Sequence, residues 1–167
     1  ATRRPGDAIV LNAPNQWEVF TYYAPDEDVY PAPYHPSAGK AGRFLTPILE
    51  AYERIFVVYW GDAESDPRKR IETWLAEHSY KADDTWYGRV RLATYGVAPL
   101  PEKPTVAQDV RFGDSIRLHG YALPEDRFVP GDVLPVTLFW QAQAPVEERY
   151  KVTLQLLDSA GRLIAQY

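Results

Sequence analysis

The sequence predicts an α/β domain joined to an all-β one. The expected parts are a small Rossmann-like three-layer α/β domain over residues 1–97, a Pro-rich linker over 98–107, and a truncated immunoglobulin-like β-sandwich over 108–167. Three observations carry this. Up to Val97, short apolar runs alternate with segments of helical period, the order that builds a sheet covered by helices. The stretch APLPEKPT has little to bury and reads as a connector. Beyond it the apolar residues alternate with period two and no helical period returns.

The elements follow in order. Pro5-Gly6-Asp7 is a turn, and AIVL (8–11) is a strand short and apolar enough to be buried on both faces. Asn12-Ala-Pro-Asn supplies helix-start chemistry for QWEVFTYY, where Trp17, Val19, Phe20 and Tyr23 form one apolar face. VYPAP (29–33) is a weaker strand whose prolines allow only an edge or a strand end. Thr46-Pro47 is a cap with a first-turn proline, so PILEAYER is expected as the helix that delivers Arg54 into the strand IFVVYW. Asp66 is an N-cap with Pro67 at the first helical position, ahead of a stripe of Ile71, Trp74, Leu75 and His78. KADDTWY, Gly88-Arg89 and VRLATY form a β-hairpin that closes the sheet.

After the linker, DSIRLHGYAL, DVLPVTLFWQA, YKVTLQLLD and RLIAQY read as strands separated by turn clusters at 124–127, 129–132 and 158–161. Leu134, Val136, Leu138 and Trp140 would line one face, and Tyr150, Val152, Leu154 and Leu156 another. An immunoglobulin-type sandwich uses about 100 residues in about seven strands, whereas only about 60 follow the linker. The last strand, ending at Tyr167, is therefore expected as an open edge that pairs with another copy. The Pro-Gly-Asp device at residues 5 and 130 is expected to start a strand twice.

Composition excludes several functions. The 167 residues are 46% hydrophobic with a net charge of −5, and no Lys/Arg cluster interleaves with aromatics, so nucleic acid is not an expected partner. No apolar run reaches the roughly 20 residues that cross a bilayer. There is no cysteine, and His35, His78 and His119 are too scattered for a zinc arrangement, so neither metal nor cofactor is expected. The chain has no Met and opens Ala-Thr-Arg-Arg, and is read as a piece of something longer.

Open α/β sheets bind ligands beyond the carboxyl ends of their strands. That edge carries Asn12, Asn15, Trp17 and Glu18 after the first strand, and Asp62 and Glu64 after the third; these six are the candidate ligand-binding residues. One use is a small polar pocket, with Asp62 or Glu18 as general base and Trp17 as a stacking platform for a sugar. The other, which we prefer, is a set of caps and turn formers beside a core aromatic. No glycine spacing suits a phosphate, no GxSxG elbow is present, and the neighbouring pairs Asp83-Asp84 and Glu147-Glu148 point to opposite strand faces and are expected to be solvated. No catalytic residue is assigned. Two competing functions remain: a carbohydrate-binding module with Trp17, Tyr22, Tyr23 and Tyr30 as platforms, and a small hydrolytic enzyme built on Asp62 and Glu18.

PGDAIVLNAPNQWEVFTYY and RIFVVYWGDAESDPRKRIETWLAEHSYKADDTWYGRVRLATYGV resemble the region that follows the transmembrane helices in bacterial membrane glycosyltransferases of the protein-mannosyltransferase and aminoarabinose-transferase type. IRLHGYAL, PGDVLPVTLFWQA and YKVTLQLLDSAGRLIAQ are similar to a β-sandwich module at the C-terminus of such chains. The resemblance implies a non-catalytic, extracytoplasmic accessory region, anchored to the cell membrane through a transmembrane region outside this chain. It would shape access for the acceptor or lipid-linked donor. Its implied partners are the membrane-embedded part of its own chain and a glycan or lipid-linked sugar. The family's acidic catalytic loop has no counterpart here.

Overall fold

The computed structural model describes residues 4–25, 28–124 and 127–166. The expected last strand residue Tyr167, part of the turn cluster at 124–127, and residues 1–3 and 26–27 lie outside them. The chain forms two compact units, one of residues 1–101 with 123–136, the other of 102–122 with 137–167. The second unit thus takes in the last six residues expected to be linker, 102–107, and 123–136 belongs to the first.

The first unit is built on a five-stranded mixed sheet of order β2-β1-β3-β5-β4. β1 (Asp7–Leu11) lies between β2 (Val29–Pro31) and β3 (Arg54–Tyr59), parallel to both. The hairpin of β4 (Tyr80–Tyr87) and β5 (Val90–Gly96) adds antiparallel strands beside β3, turning at Gly88. Alternation divides the sheet into two faces. On the first, Ala8, Val10, Ile55, Val57, Tyr59, Ala93 and Tyr95 are buried beneath Ala41, Leu45 and Ile48 of α2 (Ala38–Ala51) and Ile71 and Leu75 of α4 (Arg70–His78). On the second, a much smaller core of Ile9, Leu11 and Phe56 is met by Phe20 of α1 (Trp17–Tyr23).

Two helices start elsewhere than expected. α2 begins at Ala38, with the Ser37 hydroxyl accepting the Lys40 N–H at 3.3 Å, and runs through Pro47 rather than starting there. A proline inside a helix costs about 3 kcal/mol. Here it frees the Arg43 carbonyl on the exposed side, where water can meet it, while Ala41, Leu45 and Ile48 keep an unbroken buried stripe. α4 begins at Arg70, three residues after Pro67, because Lys69 is left-handed (φ 51°). Asp66 still caps it: its carboxylate accepts the N–H groups of Arg70 and Ile71, each at 2.9 Å.

The segment 123–136 is held on the first unit by arginines. Arg54, 7% exposed, donates to both oxygens of Asp7 (2.8 and 2.6 Å) and to the Gly131 carbonyl (2.7 Å). Arg4 bonds Asp132 at 2.8 Å and donates to the Pro130 carbonyl. Val133 seats on Gly96 so closely that a Cβ there would lie 2.5 Å from its Cγ1. The second Pro-Gly-Asp therefore does not start a strand. It forms a turn, Gly131 at φ 94°, that docks against Arg4 and Arg54, and Leu134 and Val136 leave the face assigned to them.

In the second unit β6 (Val106–Phe112), β7 (Ile116–Ala122) and β8 (Thr137–Ala142) form an antiparallel sheet, and β9 (Gln155–Leu157) pairs with β10 (Leu163–Gln166). β6 was not expected; its charged and polar residues hide the alternation. YKVTLQLLD is strand only over Gln155–Leu157, and Tyr150 and Val152 are exposed. Register places Phe112 beside Ile116, and Val110 and Trp140 beside Leu118, on one face, with Arg111, Arg117 and Gln141 on the other. Phe112 and Trp140 meet edge-to-face at 5.4 Å, and both remain substantially exposed.

Candidate functional site

After β1 the chain passes to α1 on the second face, and after β3 it passes to α4 on the first. The carboxyl ends of β1 and β3 are therefore where neighbouring connections diverge, the place where open α/β sheets form a crevice. The Asn12 N–H extends the ladder by bonding the Val58 carbonyl at 3.0 Å, after which Pro14–Gln16 form a 3-10 turn. The Gln16 amide donates to the Trp60 carbonyl and so ties the two loops together, with left-handed Gly61 (φ 79°) beside it.

The six candidate residues do not form one polar pocket. Asn12 is 1% exposed, and its Oδ1 has no hydrogen-bond partner among the described residues. A buried acceptor left unpaired costs about 1–3 kcal/mol, the kind of local inconsistency found at functional edges. Asn15 is exposed on the 3-10 turn, and Trp17 and Glu18 open α1, Glu18 where the helix dipole favours its charge. Asp62 and Glu64 lie in the single-turn helix α3 (Asp62–Ser65). Glu64 accepts the Tyr34 hydroxyl at 2.9 Å, a bond that pushes the phenol pKa up. Among the described residues no hydrogen bond or ion pair joins Asn12, Asn15, Trp17 or Glu18 to Asp62 or Glu64. The tyrosine platform divides as well. Tyr22 and Tyr23 are 79% and 80% exposed on α1, whereas Tyr30 packs on the first-face core with its hydroxyl 2.6 Å from that of Tyr52, which raises Tyr52 to about 12.

What lies along this edge is an apolar groove of about 630 Å³ on the second face. Ile9, Phe56, Val58 and Leu92 line it from the sheet, Val19, Phe20 and Tyr23 from α1, and Tyr87 and Val90 from the hairpin. Trp60 and Gln16 stand at the carboxyl end, and no charged side chain lines it. It exists because α1, with seven residues, is too short to cover five strands. Sequence reasoning named Val19, Phe20 and Tyr23 as an apolar helix face but missed the sheet residues, though the signal was present: alternation through RIFVVYW and VRLATY puts Phe56, Val58, Trp60, Val90 and Leu92 on one face.

The chain matches no protein-family model, no curated protein and no solved structure. What this edge can bind is decided by its own chemistry. Among the described residues no three His, Asp or Glu could share a metal ion, and no helix is long and apolar enough to cross a membrane.

A cluster of four charged side chains of the first unit gathers elsewhere, between α4 and the hairpin. Arg91 bonds Asp84 at 2.7 Å and Glu72 at 3.2 Å, with its guanidinium 4.6 Å over the Tyr59 ring, and Lys81 joins both carboxylates. Asp84 is thus drawn into an ion cluster rather than solvated as expected. The bond to Glu72 raises Arg91, and burial raises Tyr59. Burial pushes Glu72 up, but Arg91 and Lys81 outweigh it and hold the carboxyl below its ordinary 4.5. A depressed carboxyl stabilises fully above its unfolded pKa and loses that contribution as pH falls through the folded value. Glu72→Gln is expected to cost about 1 kcal/mol at pH 7, with the deficit shrinking below pH 4.5 in urea titrations; a deficit independent of pH would refute the assignment.

Proposed function

We propose that this chain is a non-catalytic accessory region, extracytoplasmic, of a membrane glycosyltransferase-like protein. In this reading the first unit is Rossmann-like and the second is one layer of an immunoglobulin-like sandwich. The 2-1-3 order of parallel strands, with crossover helices on both faces, supports the first assignment. The amphipathic three-stranded sheet supports the second. The membrane connection rests on the resemblance of both segments to the regions that follow transmembrane helices in those enzymes.

One observation carries the functional part. Beside the divergence of β1 and β3, where an α/β enzyme would gather its polar machinery, Glu64 holds Tyr34 and Asp66 caps α4, and the space alongside is an uncharged groove. Such an edge suits a binding face that shapes access to acceptor or lipid-linked donor. The test is enzymatic. The isolated chain is expected to neither transfer sugar from a lipid-linked donor nor hydrolyse a sugar phosphate, and removing it from the full-length protein should raise KM more than it lowers kcat. Turnover by the isolated chain would overturn the proposal.

A further inference from the structure

We infer that the turn Val129–Asp132 is the head of a reversible latch: residues 127–136 undock from the first unit as a preformed piece while the sheet they rest on stays folded.

The head is preformed because its shape is settled within its own four residues. Val129-Pro130-Gly131-Asp132 repeats Arg4-Pro5-Gly6-Asp7 in sequence and in geometry. Each has proline second and a left-handed glycine third, Gly6 at φ 91° and Gly131 at φ 94°, the type II arrangement. In each the aspartate N–H donates to the first carbonyl, from Asp7 to Arg4 at 3.2 Å and from Asp132 to Val129 at 3.0 Å. In each the aspartate carboxylate accepts the first N–H, at 2.6 Å from Arg4 and 2.7 Å from Val129. Two different settings produce one shape, so the seat is not what shapes the turn.

The seat itself is narrow. Arg4 reaches from the first turn to Asp132 at 2.8 Å and to the Pro130 carbonyl, Arg54 donates to the Gly131 carbonyl at 2.7 Å, and Val133 rests on Gly96. Residues 127–136 belong to no strand, and among the described residues no backbone–backbone hydrogen bond joins them to one. Pro135 is buried, Val133 and Val136 are partly buried, and the other seven are exposed. The Arg4–Asp132 pair is open to water on both sides, so salt competes with it. Between the segment and the body of the unit lies a cavity of about 310 Å³, with Arg4, Asp7, Glu53 and Arg54 on one side and Phe128 and Val133 on the other. A polar cavity of that size admits water, unlike the apolar layer beneath α2 and α4. Segments with few buried apolar contacts and no ladder open at the low end of a fold's stability range. Opening bares the Gly96 end of β5 and the Arg54–Asp7 pair, and leaves that pair's own two bonds in place.

The chain has no cysteine, so Val133→Cys supplies a single thiol whose labelling by neutral iodoacetamide reports opening. Below the unfolding transition its rate is expected to be flat with urea and to rise with sodium chloride. Val57→Cys, in the fully buried core, should label only with the urea slope of global unfolding. Arg4→Gln added to Val133→Cys should speed labelling about tenfold, for the charge-assisted bonds lost, with the urea midpoint little moved. Gly96→Ala should speed it as well without touching a charge, because its Cβ would lie 2.6 Å from the Cβ of residue 133. Amide hydrogen exchange at Val133 and Leu134 in the parent chain checks that the thiol has not itself loosened the seat, and should show the same flat urea dependence. Labelling and exchange at 133 with the urea slope of Val57→Cys would overturn the latch, since the segment would then open only as the unit unfolds. So would rates unmoved by both salt and Arg4→Gln, or labelling as fast as in an unstructured peptide.

Discussion

Replacing Arg54 with methionine is expected to destabilise the first unit by about 3–5 kcal/mol, the usual cost of removing one partner from a buried ion pair. For a chain of this size that lowers the melting temperature by roughly 6–20 °C. The size of the effect follows from what is left behind. Asp7 is 4% exposed and would lose both bonds from the guanidinium, at 2.8 and 2.6 Å, and the Gly131 carbonyl would lose the bond from Arg54. The segment 123–136 would be loosened by the same change. The double variant Arg54→Met with Asp7→Leu removes both charges and should recover much of the loss, since a buried pair gives little net stability over apolar side chains that pack well. Urea titrations of the two single variants and the double variant make the cycle. Single variants within 1 kcal/mol of the parent would show that the pair is solvated.

Truncating Leu45 to alanine should cost about 2–5 kcal/mol, because it opens a cavity between α2 and the fully covered face of the sheet. The same truncation at Leu92, half-buried on the groove face, should cost only about 1 kcal/mol, in proportion to the smaller apolar surface it buries. The comparison measures the asymmetry of the two faces directly. Equal losses would mean that the groove face is as well packed as the other, and would sink the reading of an open groove.

Much of the first unit was legible because its signals are local. The apolar run at β1, the hairpin around Gly88, the capping role of Asp66 and the stripe through Ile71 and Leu75 all depend on residues within a few positions of one another. The start of α2 was not, since Thr46-Pro47 looks like a helix start in isolation and only the burial of Ala41 shows that the helix began earlier. β6 escaped because an edge strand exposed along its length need not carry an apolar alternation. At the candidate site, the location was legible but the character was not. The six candidate residues do lie at or beside the carboxyl edge, yet the ligand-sized space there belongs to apolar side chains that read as ordinary core.

Periodicity and turn chemistry alone determined where most of the strands and helices lie and that two different textures follow one another, because those properties are settled over three to eight residues. Only the tertiary structure decided that Arg54 meets Asp7 and Gly131, that 123–136 returns to the first unit, and that one sheet face stays half bare. Those outcomes join residues 47 and 77 positions apart, or turn on whether a seven-residue helix can span five strands, and no local pattern records either.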